Sequence, residues 1–272
     1  MIALRATLLS AFALVTFTQN ADARRTCRVV FPERPRDAPK SGFIFDGKTS
    51  HAVNLPSMNL SEVIELPEDN LTIALTPRQV TDPNGLAAST PMLKIPEGVR
   101  DFYIIISPDP NHGDFPVKMN LVETGGGKLN PGQTLWFNMT GHKIVAKMGE
   151  EVVTVEPKGR KISDGPMPQN GYYLARIAYH ANGNGPLAPI TEQKWWHDTK
   201  SRQLGFIVST GGKLPKLYCY YDVRTTEAVR KAIAEADPED LKPVIEPLAE
   251  RSDRVPEELA PAQDEQAIEP GQ

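Results

Sequence analysis

The sequence predicts an all-β protein made of tandem antiparallel β-sandwiches, on three observations. Short apolar runs recur roughly every ten residues from Cys27 to Val223, with Pro, Gly, Asn and Asp between them. Prolines close many of these runs, as in "ELP", "ALTP", "KIP", "ISP" and "VEP", where a missing N–H costs a sheet ladder least. No stretch in this region carries an apolar stripe at helical spacing. Alternation is clearest in "GYYLARIAYH", where Tyr173, Ala175, Ile177 and Tyr179 share one face while Arg176 and His180 share the other.

In chain order, residues 1–23 read as a cleavable secretory signal. They hold one early arginine, Arg5, an apolar run from about Ala6 to Phe17, and the small-x-small end Ala21-Asp22-Ala23. The run is shorter than the roughly 20 residues a membrane-spanning helix needs, and no later stretch is apolar enough to span. An exported protein follows, periplasmic or extracellular. Its strands are predicted at 27–31, 42–45, 51–55, 62–66, 71–75, 92–95, 102–107, 117–123, 134–139, 143–147, 152–155, 172–180, 204–209 and 216–223.

A loose internal echo divides them. Phe45, His51 and "EVIELP" resemble Phe137, His142 and "EEVVTVEP"; "DFYIIISPDPNHGDFP" resembles "GYYLARIAYHANGNGP". The expected organisation is one sandwich over 24–124 and a second over 128–224, with Gly125-Gly126-Gly127 as the joint and an extra stretch, "PRQVTDPNGLAASTP", in the first. Beyond Arg224 a short helix is expected over 225–237, capped by Thr225 or Thr226 and ended by Pro238. The Pro- and Glu-rich segment 238–272 has too little apolar surface to order itself and is expected to be a disordered acidic tail.

Charge follows the same division. Thr225 to Gln272 carries 13 acidic and 5 basic residues, while Arg24 to Arg224 carries 20 acidic and 24 basic. The basic residues are scattered instead of gathered into a patch with interleaved aromatics, which argues against a nucleic-acid partner. Two cysteines, Cys27 and Cys219, stand near opposite ends of the β region, each among apolar residues at period-2 spacing. In an oxidising compartment they are expected to form a disulfide joining the first strand to the last.

Residue types capable of chemistry are sparse. The five histidines, His51, His112, His142, His180 and His197, show no His-x-His or His-Glu-x-x-His spacing, and there is no CxxC. The chain has no G-x-S-x-G, and "TGGGK" lacks the phosphate-loop spacing. No catalytic residue, metal or cofactor is implied. Asn59, Asn70 and Asn138 head glycosylation sequons by pattern alone.

What remains is recognition. "EQKWWHD" sets Trp195 and Trp196 against His197 and Asp198; if the segment is extended the two indoles face opposite ways and one is exposed, and otherwise the pair lies in the loop before the strand at 204–209. Tyr172 joins them as an aromatic contact candidate. His112 and His180, in Asn/Gly-rich loops matched by the echo, are the other ligand-contact candidates. The architecture resembles that of secreted immunoglobulin-like or jelly-roll modules. The function expected is non-enzymatic surface contact with a protein or polysaccharide partner in an envelope or extracellular assembly. A carbohydrate-binding module is the alternative; a metal-dependent enzyme using His112, His180, His197 and Asp198 is a more distant one.

Overall fold

The computed structural model describes residues 25–68, 71–113, 115–181, 185–209 and 214–223. The expected signal, C-terminal helix and acidic tail lie outside the described residues. Among the described residues there are sixteen strands. The first eight are β1 (Arg25–Val30), β2 (Ser41–Phe45), β3 (Ser50–Asn54), β4 (Ile64–Leu66), β5 (Leu71–Thr76), β6 (Met92–Ile95), β7 (Asp101–Pro108) and β8 (Val117–Glu123). The second eight are β9 (Thr134–Asn138), β10 (Ile144–Met148), β11 (Glu151–Val155), β12 (Arg160–Ser163), β13 (Gly171–His180), β14 (Leu187–His197), β15 (Arg202–Val208) and β16 (Lys216–Asp222). A single 3-10 turn, Pro83–Gly85, lies between β5 and β6. No helix among these residues is long and apolar enough to cross a membrane.

The strands form four four-stranded sheets, and the second eight repeat the first. The first inner sheet has the order β4-β1-β7-β8 and the second β12-β9-β15-β16; the outer sheets run β3-β2-β5-β6 and β11-β10-β13-β14. Adding eight to each strand number converts one half into the other. Pairing is antiparallel except at one place in each half, where β1 runs parallel to β7 and β9 to β15. The all-β sandwich is therefore as expected, with these parallel pairs as its departure from a purely antiparallel arrangement.

Three apolar cores order the layers. Cys27, Val29, Phe102, Ile104 and Ile106 of the first inner sheet, with Phe31 just after β1, pack on Ile44, Val53, Ile73 and Leu75 of the first outer sheet. Trp136 and Ile207 of the second inner sheet pack on Ile144, Ala146, Tyr173, Ala175 and Ile177 of the second outer sheet. The third core lies between the two inner sheets, where Val30, Tyr103, Ile105 and Val122 meet Leu135, Leu204, Phe206 and Tyr220. The order is outer, inner, inner, outer. The central strands β7 and β15 are consequently buried on both faces, which explains why "FYIII" and "LGFIV" read as continuous apolar runs. All described residues belong to one compact unit ending at Arg224.

Polar links join the halves across the central core. Asp222 at the end of β16 accepts from Arg28 Nη1 at 2.6 Å and from the Tyr103 hydroxyl at 2.5 Å. Arg202 Nη1 donates to Asp101 Oδ2 at 2.5 Å, and the Tyr220 hydroxyl donates to the Ser57 carbonyl at 2.9 Å.

These links account for one correction: no disulfide joins Cys27 to Cys219. Arg28 and Asp222 point into the space between the inner sheets. Alternation then turns Cys27 away into the first core and Cys219, three residues before Asp222, toward the second outer sheet. The first and last strands are tied by an ion pair instead.

The repeat is also out of register with the echo in the sequence. Phe45 lies on β2 but Phe137 on β9, and "FYIII" forms β7 while "YYLARIAY" forms β13. The true counterpart of β7 is β15, and that of β13 is β5. The two histidine loops are thus not equivalent: His112 sits between β7 and β8, whereas His180 ends β13. The extra stretch in the first half is the β5–β6 connection, and the triple glycine lies between β8 and β9, where Gly126 and Gly127 take φ of 66° and 80°.

Candidate functional site

Two strands absent from the sequence reading, β12 and β14, include the one that matters most here. β14 is the edge strand of the second outer sheet and pairs with β13 along its whole length. Its polar residues and Pro189 give it no apolar alternation of its own, and an edge position tolerates both. The pairing sets Tyr172 opposite Trp196 and Tyr173 opposite Trp195.

The indoles part as a strand requires. Trp195 turns inward, stacking on Trp136 at 6.5 Å and 18° and meeting Tyr173 edge-on at 6.3 Å. Room for Trp136 comes from Gly205, where a Cβ would lie 2.5 Å from the indole ring. Trp196 turns outward, 44% exposed, against Tyr172, 70% exposed, in a T-shaped pair with centroids 5.0 Å apart. Two large aromatics held on paired strands lose little freedom on contact with a partner.

The pair adjoins a pocket. Tyr221 of β16, the edge strand of the second inner sheet, donates from its hydroxyl to the Trp196 carbonyl at 2.8 Å and bridges the two sheets. Between β14 and β16 lies a pocket of about 320 Å³, lined by Gln193, Lys194, Trp195, Gln203, Cys219 and Tyr221, with Leu217 and Trp196 completing it. Gln203 is buried; its Oε1 accepts from Thr134 Oγ1 at 3.0 Å, while its Nε2 makes no hydrogen bond of ordinary geometry. The side chain does lie close enough to Tyr221 to favour ionisation of that hydroxyl.

Electrostatics in the pocket favour neutral, protonated groups. Burial pushes the Cys219 thiol up to about 12, so the thiolate that would act as a nucleophile is disfavoured. Burial also raises Tyr173 and Tyr221, the latter reinforced by Cys219 and Asp198. Lys194 is the only charged side chain in the lining.

His197 ends β14 and is buried against Gly132 and Gly165; a Cβ on Gly165 would lie 2.6 Å from its Cε1. Burial lowers its pKa, partly opposed by Asp198 and by a hydrogen bond with the Met167 backbone. Asp198 turns into its own loop, accepting from Lys200 N at 3.0 Å and from the Ser201 hydroxyl. The neighbouring histidine and aspartate thus hold separate structural positions.

Of the residues singled out in the sequence, Tyr172, Trp195, Trp196 and His197 gather at one end of the β13–β14 hairpin. His180 does not join them, because it pairs with Leu187 while His197 pairs with Gly171, about 30 Å apart at the rise of a strand. His180 Nδ1 donates to the Gly185 carbonyl at 2.8 Å. His112, in the first half, donates from Nδ1 to the Ser89 carbonyl at 2.9 Å. Among the described residues no group of three or more His, Cys, Asp or Glu is placed to hold a metal ion. Asn138, the last residue of β9, is buried, its amide donating to the carbonyls of His142, Val155 and Glu156, so a structural role accounts for it. Tyr221 and Gln203 were not singled out in the sequence; the signal was the shared parity of Cys219 and Tyr221 on the last strand.

Fold and site together define a class: a β-sandwich protein with a rigid aromatic edge and an adjoining polar pocket. No family model matches the chain, and no curated protein matches it.

Proposed function

We propose that this is an exported, non-enzymatic protein that acts by surface contact, in an envelope or extracellular assembly, through the edge where β14 meets β16. The observation that carries the reading is the Tyr172–Trp196 pair, two large aromatics left in solvent on paired strands beside the exposed Tyr221, while Trp136, Tyr173, Tyr179, Phe206 and Tyr220 of the same half are buried. Exposed Trp and Tyr held in fixed rotamers are the residue types that dominate contact energetics. The leader-like start of the sequence supports action outside the cytoplasm.

The test is co-sedimentation of the purified protein with the insoluble envelope material of its own cells. Tyr172→Ala with Trp196→Ala is expected to reduce retention at least tenfold, with the unfolding midpoint unchanged. Retention equal to the wild type would reject the reading.

A further inference from the structure

We propose that the pocket between β14 and β16 receives one pyranose ring of a polysaccharide, with Trp195 as its apolar wall and the Gln203 amide as a hydrogen-bond donor. The proposal rests on the contact reading above and names the chemistry of the partner.

The first support is Gln203 itself. Buried amide hydrogens are rarely left without acceptors; Tyr221 lies near Nε2 but outside ordinary hydrogen-bond geometry, which leaves the amide able to donate to a ligand oxygen. The second is the other half of the molecule. With Asp101 and Arg202 as the equivalent first residues of β7 and β15, the counterpart of Gln203 is Phe102. Phe102 lies opposite Cys27, as Gln203 lies opposite Thr134. The same frame therefore closes with an apolar pair in one half and carries a polar pair beside a pocket in the other. The amide oxygen is used by the buried Thr134 hydroxyl, but the first half shows that the frame closes without an amide nitrogen at that position.

Shape and charge narrow the ligand. At about 320 Å³ the pocket is near the lower end of small-ligand sites and suits a single ring. Trp195 is held from behind by Trp136 and from the side by Tyr173, so it offers a fixed surface for the C–H face of a sugar. Gln193, Lys194 and the Tyr221 hydroxyl supply polar groups for the ring's hydroxyls. With Lys194 as the single charge, a neutral or acidic sugar fits and a cationic amino sugar does not. Because Trp196 belongs to both the pocket and the exposed pair, the next units of a chain would pass over Tyr172.

The experiment is titration of the full chain with cellohexaose, chitohexaose and hexa-galacturonate, followed by tryptophan fluorescence and calorimetry. At least one is expected to give a saturable change, and Gln203→Met is expected to weaken it tenfold or more while still unfolding in one cooperative transition, its midpoint lowered only modestly by the lost Thr134 bond. If that variant proves unstable, Gln193→Ala, on an exposed position, is expected to cause a several-fold loss. Absence of saturable binding by all three sugars overturns the proposal, as does wild-type affinity in a stable Gln203→Met or in Gln193→Ala. Envelope retention that depends on Tyr172 and Trp196 without any sugar binding would sink this inference alone. Sugar binding without such retention would sink the contact reading alone.

Discussion

The two halves share one strand order and spend it differently. In the first half, the face of β1 and β7 that meets the outer sheet is filled by Cys27, Val29, Phe102, Ile104 and Ile106, all buried, and the β5–β6 hairpin is short-stranded. In the second, the matching positions include Thr134, Trp136, Gln203 and Gly205, and the counterpart hairpin β13–β14 is lengthened into strands of 10 and 11 residues. The exposed aromatics sit on that extension. A duplicated frame can thus leave one copy to pack and free the other to present a surface, with the central core and its ion pairs holding both as one body.

Exchanging the character of matched positions gives the largest expected effect. Phe102→Gln places an amide in an apolar core and removes an aromatic ring, with an expected cost of about 3–5 kcal/mol in urea unfolding. Gln203→Met at the counterpart takes the acceptor from the buried Thr134 hydroxyl and is expected to cost about 1–2 kcal/mol, less than Phe102→Gln. Equal costs would break the comparison. Next comes the link between halves. Asp222→Asn weakens the bonds to Arg28 and Tyr103 and is expected to cost about 2–3 kcal/mol, since Arg28 keeps some access to water. A single cooperative transition should persist; two separated transitions would mean the halves fold independently.

Gly205→Ala is expected to cost about 1–3 kcal/mol, because the new methyl meets the Trp136 ring, which is fixed by Ser163 at 3.0 Å and by Trp195. An unchanged midpoint would show that the indole can move. The smallest effect concerns pH. Burial depresses the folded pKa of His197 below 6.5, so as pH falls the unfolded chain takes up the proton first. Its contribution is fully present above pH 6.5 and is lost as pH falls through the lower folded value. Unfolding midpoints at pH 7.5 and 5 should differ less in His197→Gln than in the wild type.

Strand positions were legible wherever burial imposed a pattern. The alternation of β13 and the double-faced runs of β7 and β15 all stand where the sequence placed strands. β12 and β14 were illegible because edge strands owe their conformation to a neighbour: "RKIS" buries only Ser163, and the inward Ile190 and Trp195 of "PITEQKWW" are too far apart to show as an alternating apolar face. The parting of Trp195 from Trp196 follows from alternation once the segment is a strand, but the sequence left a loop as the other placement. The pocket did not, because its walls come from strands far apart in sequence. The disulfide failed for the same reason: local parity placed each thiol among apolar residues but could not say that the two cores differ.

The central claim is that recognition lies on the long-stranded hairpin and not on its counterpart. Hydrogen–deuterium exchange of the protein, free and bound to its envelope material, tests it most directly. New protection confined to residues 187–197 and 216–222 is the predicted result; protection centred on β5–β6 or the β7–β8 loop, with β14 unchanged, would contradict it.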